Sequence, residues 1–207
     1  MTQLPKKNKF HKANESYLDM GAPSFEQIKA GAADALERFY RRDIYLVYAG
    51  VHERSLTFRL GMYLQQIFPD WDVDCEYNKN RAALGNNKFL SSRCKNSPQW
   101  RCADCRGKRD CTVFPDIIIH RRGTSENLLV IEAKIKATCG QKREDQDKIE
   151  EYLIEPALRY RYGLFIDFRE SFSATVNESL WCRRENGEEF PRWYDNNGTS
   201  VNRVESP

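Results

Sequence analysis

The chain has 207 residues, 30% of them charged and 40% hydrophobic, with a formal net charge of +3. That length supports one domain with a full core and small appendages. No apolar run reaches the length of a membrane span, and a mildly basic balance neither demands nor excludes nucleic acid.

In chain order, residues 1–22 read as a flexible basic arm carrying Lys6, Lys7, Lys9 and Lys12. The span 24–42 predicts an added amphipathic helix, with Ser24 as N-cap and Gln27 at the capping-box position. Residues 51–68 have helical periodicity, with Leu56, Leu60, Tyr63, Leu64 and Ile67 on the apolar face. Glu53 falls on that same face. A carboxylate there needs a partner, because an unpaired buried charge is costly, although a first-turn Glu is also favoured by the helix dipole. His52 beside it reads as a surface residue. Pro69-Asp70 stops the helix, and residues 72–77 predict the first strand.

Between this strand and the next lies a cysteine-rich insertion, 90–112, in which Cys94, Cys102, Cys105 and Cys111 are spaced C-x7-C-x2-C-x5-C. Four thiolates at such spacing suit a tetrahedral Zn²⁺, with the Cys102–Cys105 knuckle the strongest part. A [4Fe–4S] cluster and unligated thiols are the alternatives. No signal-peptide pattern opens the chain, so disulfides are disfavoured and the reducing cytosol is the expected compartment. The insertion is basic, with Arg101, Arg106, Lys108 and Arg109 around Trp100. Cations with an aromatic suit a phosphate backbone and an unstacked base. A solvated loop stapled by metal is the plainer reading.

The stretch 114–136, FPDIIIHRRGTSENLLVIEAKIK, predicts a β-hairpin. If it folds about Thr124, Asp116 lies opposite Glu132, with Cβ atoms about 4.5–5.5 Å apart. Lys134, two residues on, shares that face. Two carboxylates and an ammonium at one strand end can hold a hard divalent ion against a phosphodiester. His120 reads as core or rim packing. The span 144–160 predicts a second amphipathic helix, kinked or divided at Pro156, with Ile149, Tyr152, Leu153 and Leu158 as core. Glu144, Asp145, Asp147, Glu150 and Glu151 around Lys148 read as a solvated face. The run 164–168 fits a last strand, and 181–207 reads as a partly disordered tail whose Trp181, Trp193 and Tyr194 must pack somewhere.

Pro115-Asp116 followed by Ile131-Glu132-Ala133-Lys134 resembles the PD-(D/E)xK signature of restriction-endonuclease-like nucleases. The resemblance implies an α/β fold with an α-β-β-β-α-β core, a mixed central sheet flanked by helices, within a single domain over 23–180. It implies a Mg²⁺- or Mn²⁺-dependent nuclease, most simply a DNA endonuclease. Asp116, Glu132, the Ala133 carbonyl and Glu53 would ligate the metal, and Lys134 would act on the attacking water. Relatives often place a Gln or Lys that contacts substrate or water just beyond the third strand, where Gln141 and Lys148 lie, and Lys148 is the one taken as a contributor to substrate binding. A homodimer or a protein partner is compatible with this reading. The alternative function is a non-catalytic module on the same fold, docking nucleic acid or protein, with a structural zinc site.

Overall fold

The computed structural model describes residues 21–77, 79–80, 86–87, 89–90, 111–112, 114–185, 188 and 190–202. It is an α/β arrangement: a mixed sheet of seven strands with four helices among the described residues. Helix α1 (Phe25–Tyr48) opens on the expected capping box, Gln27 N–H to Ser24 Oγ and Ser24 N–H to Gln27 Oε1. It runs six residues past the predicted end at 42, because Tyr45 to Tyr48 continue without a Gly or Pro to stop them. Helix α2 (Glu53–Ile67) buries Leu56, Leu60, Tyr63 and Leu64, as the periodicity requires. Strand β1 (Asp72–Cys75) follows. Then come the short strands β2 (Lys79–Asn80), β3 (Asn86–Asn87), β4 (Phe89–Leu90) and β5 (Cys111–Thr112), paired as β2–β3 and β4–β5 outside the main sheet.

Strands β6 (Ile117–His120) and β7 (Asn127–Ile135) form the hairpin. Its register pairs Ile117 with Ile131, Ile118 with Val130 and Ile119 with Leu129, so the hairpin does fold about Thr124. Helix α3 (Cys139–Ile154) crosses from β7 to β8 (Tyr162–Phe168), and β7–β8 is the parallel pair in an otherwise antiparallel sheet. The helix starts five residues earlier than residue 144, since Thr138 and Gln141 form a second capping box. It ends at Ile154, before Pro156. Gly163 lets α3 approach: a Cβ there would sit 2.2 Å from Ile149 Cγ2.

After β8 come helix α4 (Phe172–Glu178) and strands β9 (Leu180–Arg183), β10 (Arg192–Tyr194) and β11 (Ser200–Val201). The stretch expected to be a partly disordered tail thus completes the sheet, in order β1-β6-β7-β8-β9-β10-β11. Its aromatics supply the reason. Trp181, Trp193 and Tyr194 are buried, Trp193 Nε1–H donates to Glu150 Oε1 at 2.7 Å, and the Arg183 guanidinium stacks on both Phe25 and Tyr194 at 4.6 Å.

Two cores flank the sheet. Helices α1 and α2 pack on the face carrying Ile117, Ile119, Leu129, Ile131, Leu164 and Ile166. Helix α3 packs on the opposite face through Ile149, Tyr152 and Leu153 against Ile118, Val130 and Phe165. Strands β6 to β8 are covered on both faces, which explains their unbroken apolar runs. Among the described residues no helix is long and apolar enough to cross a membrane.

Candidate active site

Strand alternation turns Asp116, Glu132, Lys134 and Asp167 toward α3, on the face of Ile118, Val130 and Phe165. The hairpin register, carried one step beyond Ile117–Ile131, sets Asp116 opposite Glu132. Asp116 Oδ2 accepts the Ala133 N–H at 2.8 Å, which fixes its carboxylate at the strand end. Glu132 is only 2% exposed, and its Oε1 has no hydrogen-bond partner among the described residues.

The cations come from two directions. Lys134 Nζ lies 3.0 Å from Glu53 Oε2 at the start of α2 and 3.7 Å from Asp145 Oδ2 on α3. Glu53 Oε1 also accepts the Ile135 N–H at 3.3 Å. Lys148 Nζ is 2.6 Å from Asp145 Oδ1 and 3.5 Å from Glu132 Oε2. Glu53, Glu132, Lys134 and Lys148 are therefore brought into one chain of charges from three separate elements, with Asp116 beside it. Glu53 enters it by holding Lys134.

Asp145 corrects the sequence reading. It belongs to no solvated face: it is 1% exposed and links the two lysines. A signal was there to be read. Residues 145, 149, 152 and 153 fall at i, i+4, i+7 and i+8, the spacing of one helix face. Lys142 continues that polar row toward the N-terminus of α3, bonding Glu178 and, at 3.1 Å, the fully buried Asp167. Gln141 is spent on the helix cap, its Oε1 accepting from Thr138 N–H and Oγ1–H. His120 lies away from this group, buried against Asp74 at 2.8 Å and beside the Tyr77 ring.

Burial sets the electrostatics. It pushes the Glu132 carboxyl up to about 8, with Lys148 pulling the other way and Asp116 and Asp145 adding to the rise. Asp116 is raised for the same reason, against the pull of the Ala133 N–H and the two lysines. Burial would lower Lys134, but Asp145, Glu53 and Asp116 hold it above the usual lysine value. The set is thus two carboxyls that resist ionising while no further cation is present, and a lysine that stays charged.

Among the described residues, no three Asp, Glu, His or Cys side chains are grouped to hold a metal ion as they stand. The pair Asp116 and Glu132 does fit a hard dication, which takes oxygen ligands and commonly one or two carboxylates. The unpartnered Glu132 Oε1 is a buried donor oxygen of the required kind. Beside the ends of β7 and β8, Lys136, Arg169, Glu170, Ser171 and Ala174 line an open cleft of about 560 Å³.

The cysteine site is a different matter. Cys94, Cys102 and Cys105 lie outside the described residues, as do Trp100, Arg101, Arg106, Lys108 and Arg109; Cys111 is described only as backbone of β5. The basic arm 1–20 is outside them too. Of the other cysteines, Cys139 is exposed, Cys182 is buried, and burial raises the half-buried Cys75 to about 11. Comparison with protein-family models and with curated proteins gives no match.

Proposed function

We propose that the protein is a metal-dependent nuclease with a restriction-endonuclease-like core, acting on DNA. One observation carries this reading: Asp116 and the buried Glu132 lie opposite each other in the hairpin, with Lys148 3.5 Å from Glu132 and Lys134 joined to Lys148 through Asp145. Two carboxylate oxygens of this group, Glu132 Oε1 and Asp145 Oδ2, have no hydrogen-bond partner among the described residues, and a cation bound beside Glu132 would satisfy the first. The sheet supports it as well, since an antiparallel β1-β6-β7 unit followed by a parallel crossover through α3 to β8 follows the order that the resemblance implies.

Asp116 and Glu132 would hold Mg²⁺ or Mn²⁺. In a strand, the N–H and C=O of one residue point the same way, so the Ala133 carbonyl is turned toward the Asp116 side and suits a third ligand. A bound dication lowers the pKa of a water and neutralises charge on a phosphodiester. Lys134, pinned by Glu53 at 3.0 Å, would orient the attacking water and stabilise negative charge as it grows on the phosphoryl oxygens. Lys148 flanks Glu132 from the helix side and offers a second ammonium to the phosphate. Cys94, Cys102, Cys105 and Cys111 would hold a zinc ion, and the cations around Trp100 would grip the nucleic-acid backbone.

The test is cleavage of supercoiled plasmid, linear duplex, single-stranded DNA and RNA with Mg²⁺, with Mn²⁺ and without either. Metal-dependent cutting of DNA is expected, lost in Asp116→Ala and Lys134→Ala with the circular-dichroism spectrum unchanged. Full activity in either variant would sink the mechanism. Binding of DNA without cutting by the wild type would instead favour a docking module.

A further inference from the structure

Asp145 is a buried charge among the site's lysines that the chemistry above does not use. It is 1% exposed, on α3, with Lys148 at 2.6 Å and Lys134 at 3.7 Å. Burying a carboxylate between two ammonium groups is a poor source of stability, because desolvation offsets the attraction. Its geometry suggests another purpose. Lys134 stands between Glu53 of α2 and Asp145 of α3, drawn from both ends of the strand face. Without Asp145, the remaining close partner of Lys134 is Glu53, on the side away from α3. Lys148 is held closer to Asp145 than to Glu132, by 2.6 Å against 3.5 Å. Without Asp145, this ammonium would settle on Glu132, one of the two oxygen donors proposed for the metal. Asp116, just before β6, also faces this group.

We infer that Asp145 is a positioning residue: it holds Lys134 over the strand end and keeps Lys148 off the metal-binding carboxylates. This rests on the nuclease reading for its catalytic part and on geometry alone for the anchoring. In Asp145→Asn the lysines are released while the side-chain volume is kept. The turnover number falls about 10–100-fold, as for other supporting-shell changes, while KM for DNA stays within about twofold. The Mg²⁺ concentration for half-maximal rate rises about tenfold. Adding Lys148→Met to Asp145→Asn removes the competing ammonium, so the Mg²⁺ requirement returns to within about twofold of wild type, a coupling that two independent sites would not show.

A second measurement is independent of turnover. The full-length wild type and Asp145→Asn are labelled with trace acetic anhydride, and each lysine's rate is read by mass spectrometry. Lys134 labelling rises about fivefold in the variant, because the opposite charge 3.7 Å away that favours the protonated amine has been lost, while Lys29 is unchanged. Equal Lys134 rates in the two proteins overturn the inference, whatever the cleavage result. A wild type that cuts no substrate removes the catalytic role, while faster Lys134 labelling still upholds the anchoring. A variant that cuts at the wild-type rate with the wild-type Mg²⁺ requirement refutes the positioning role and leaves the nuclease reading intact.

Discussion

Replacing Glu132 by Gln should flatten the pH dependence of folding stability. In the metal-free protein the folded state keeps the Glu132 proton up to about 8, whereas the unfolded chain releases it near the ordinary value of 4.5. A raised folded-state pKa means that the stabilisation is complete below 4.5 and is lost as pH climbs through 8. Between those limits one proton difference costs about 1.4 kcal/mol per pH unit. Asp116 acts with the same sign, so the wild-type slope is at least that of one proton. Gln at 132 has no proton to lose and fills the same space, so its slope should be shallower by about 1.4 kcal/mol per unit. Urea unfolding of both proteins at pH 5.5, 6.5 and 7.5, in buffer free of Mg²⁺, reads the two slopes. Identical slopes would refute the account of Glu132 as a carboxyl kept neutral by burial. The same logic makes Mg²⁺ binding at pH 7 release about one proton, and titration calorimetry in two buffers of different ionisation enthalpy measures it.

Other outcomes can be checked more simply. Gly163→Ala puts a methyl 2.2 Å from Ile149 Cγ2, so α3 must move off β8 at a cost of about 1–3 kcal/mol; an unchanged melting temperature would contradict the packing described. Trp193→Ala should destabilise by about 3–5 kcal/mol in urea unfolding, and a loss below about 1 kcal/mol would mean that β10 is dispensable. Cys102→Ser with Cys105→Ser should empty the proposed zinc site, seen as loss of about one equivalent of zinc on metal analysis, whereas retained zinc would point to other ligands.

The hairpin was legible because two apolar runs flank one central polar turn, which sets the register: a slip by one residue would have turned Glu132 into the α1–α2 core. Helix α2 was legible for a similar reason, since its apolar stripe fixes the side from which Glu53 reaches Lys134. Asp145 was hidden by its neighbours. In a segment as acidic as residues 144–151 the composition suggests solvent, and only helical phase separates one inward carboxylate from the outward ones. The last strands were missed through composition as well. Asn197-Gly198, with Gly198 at φ +81°, is the turn signal between β10 and β11, but it sits in polar sequence that resembles a tail. Pairing with β8 through β9 involves partners far apart in the chain, which local pattern does not reveal.

The hairpin and the crossover helix also impose an order of assembly. Asp116 and Glu132 come together across a turn of a few residues, a contact that isolated hairpins make in about 1–10 μs. Lys148 arrives only when α3 has docked, and α3 is held between β7 and a strand, β8, that pairs in parallel and closes late. A nascent chain would therefore carry both acids before it carries the lysine that lies beside them. If the pair holds a dication as proposed, the ion would have access during that interval, before the closing helix covers the two acids.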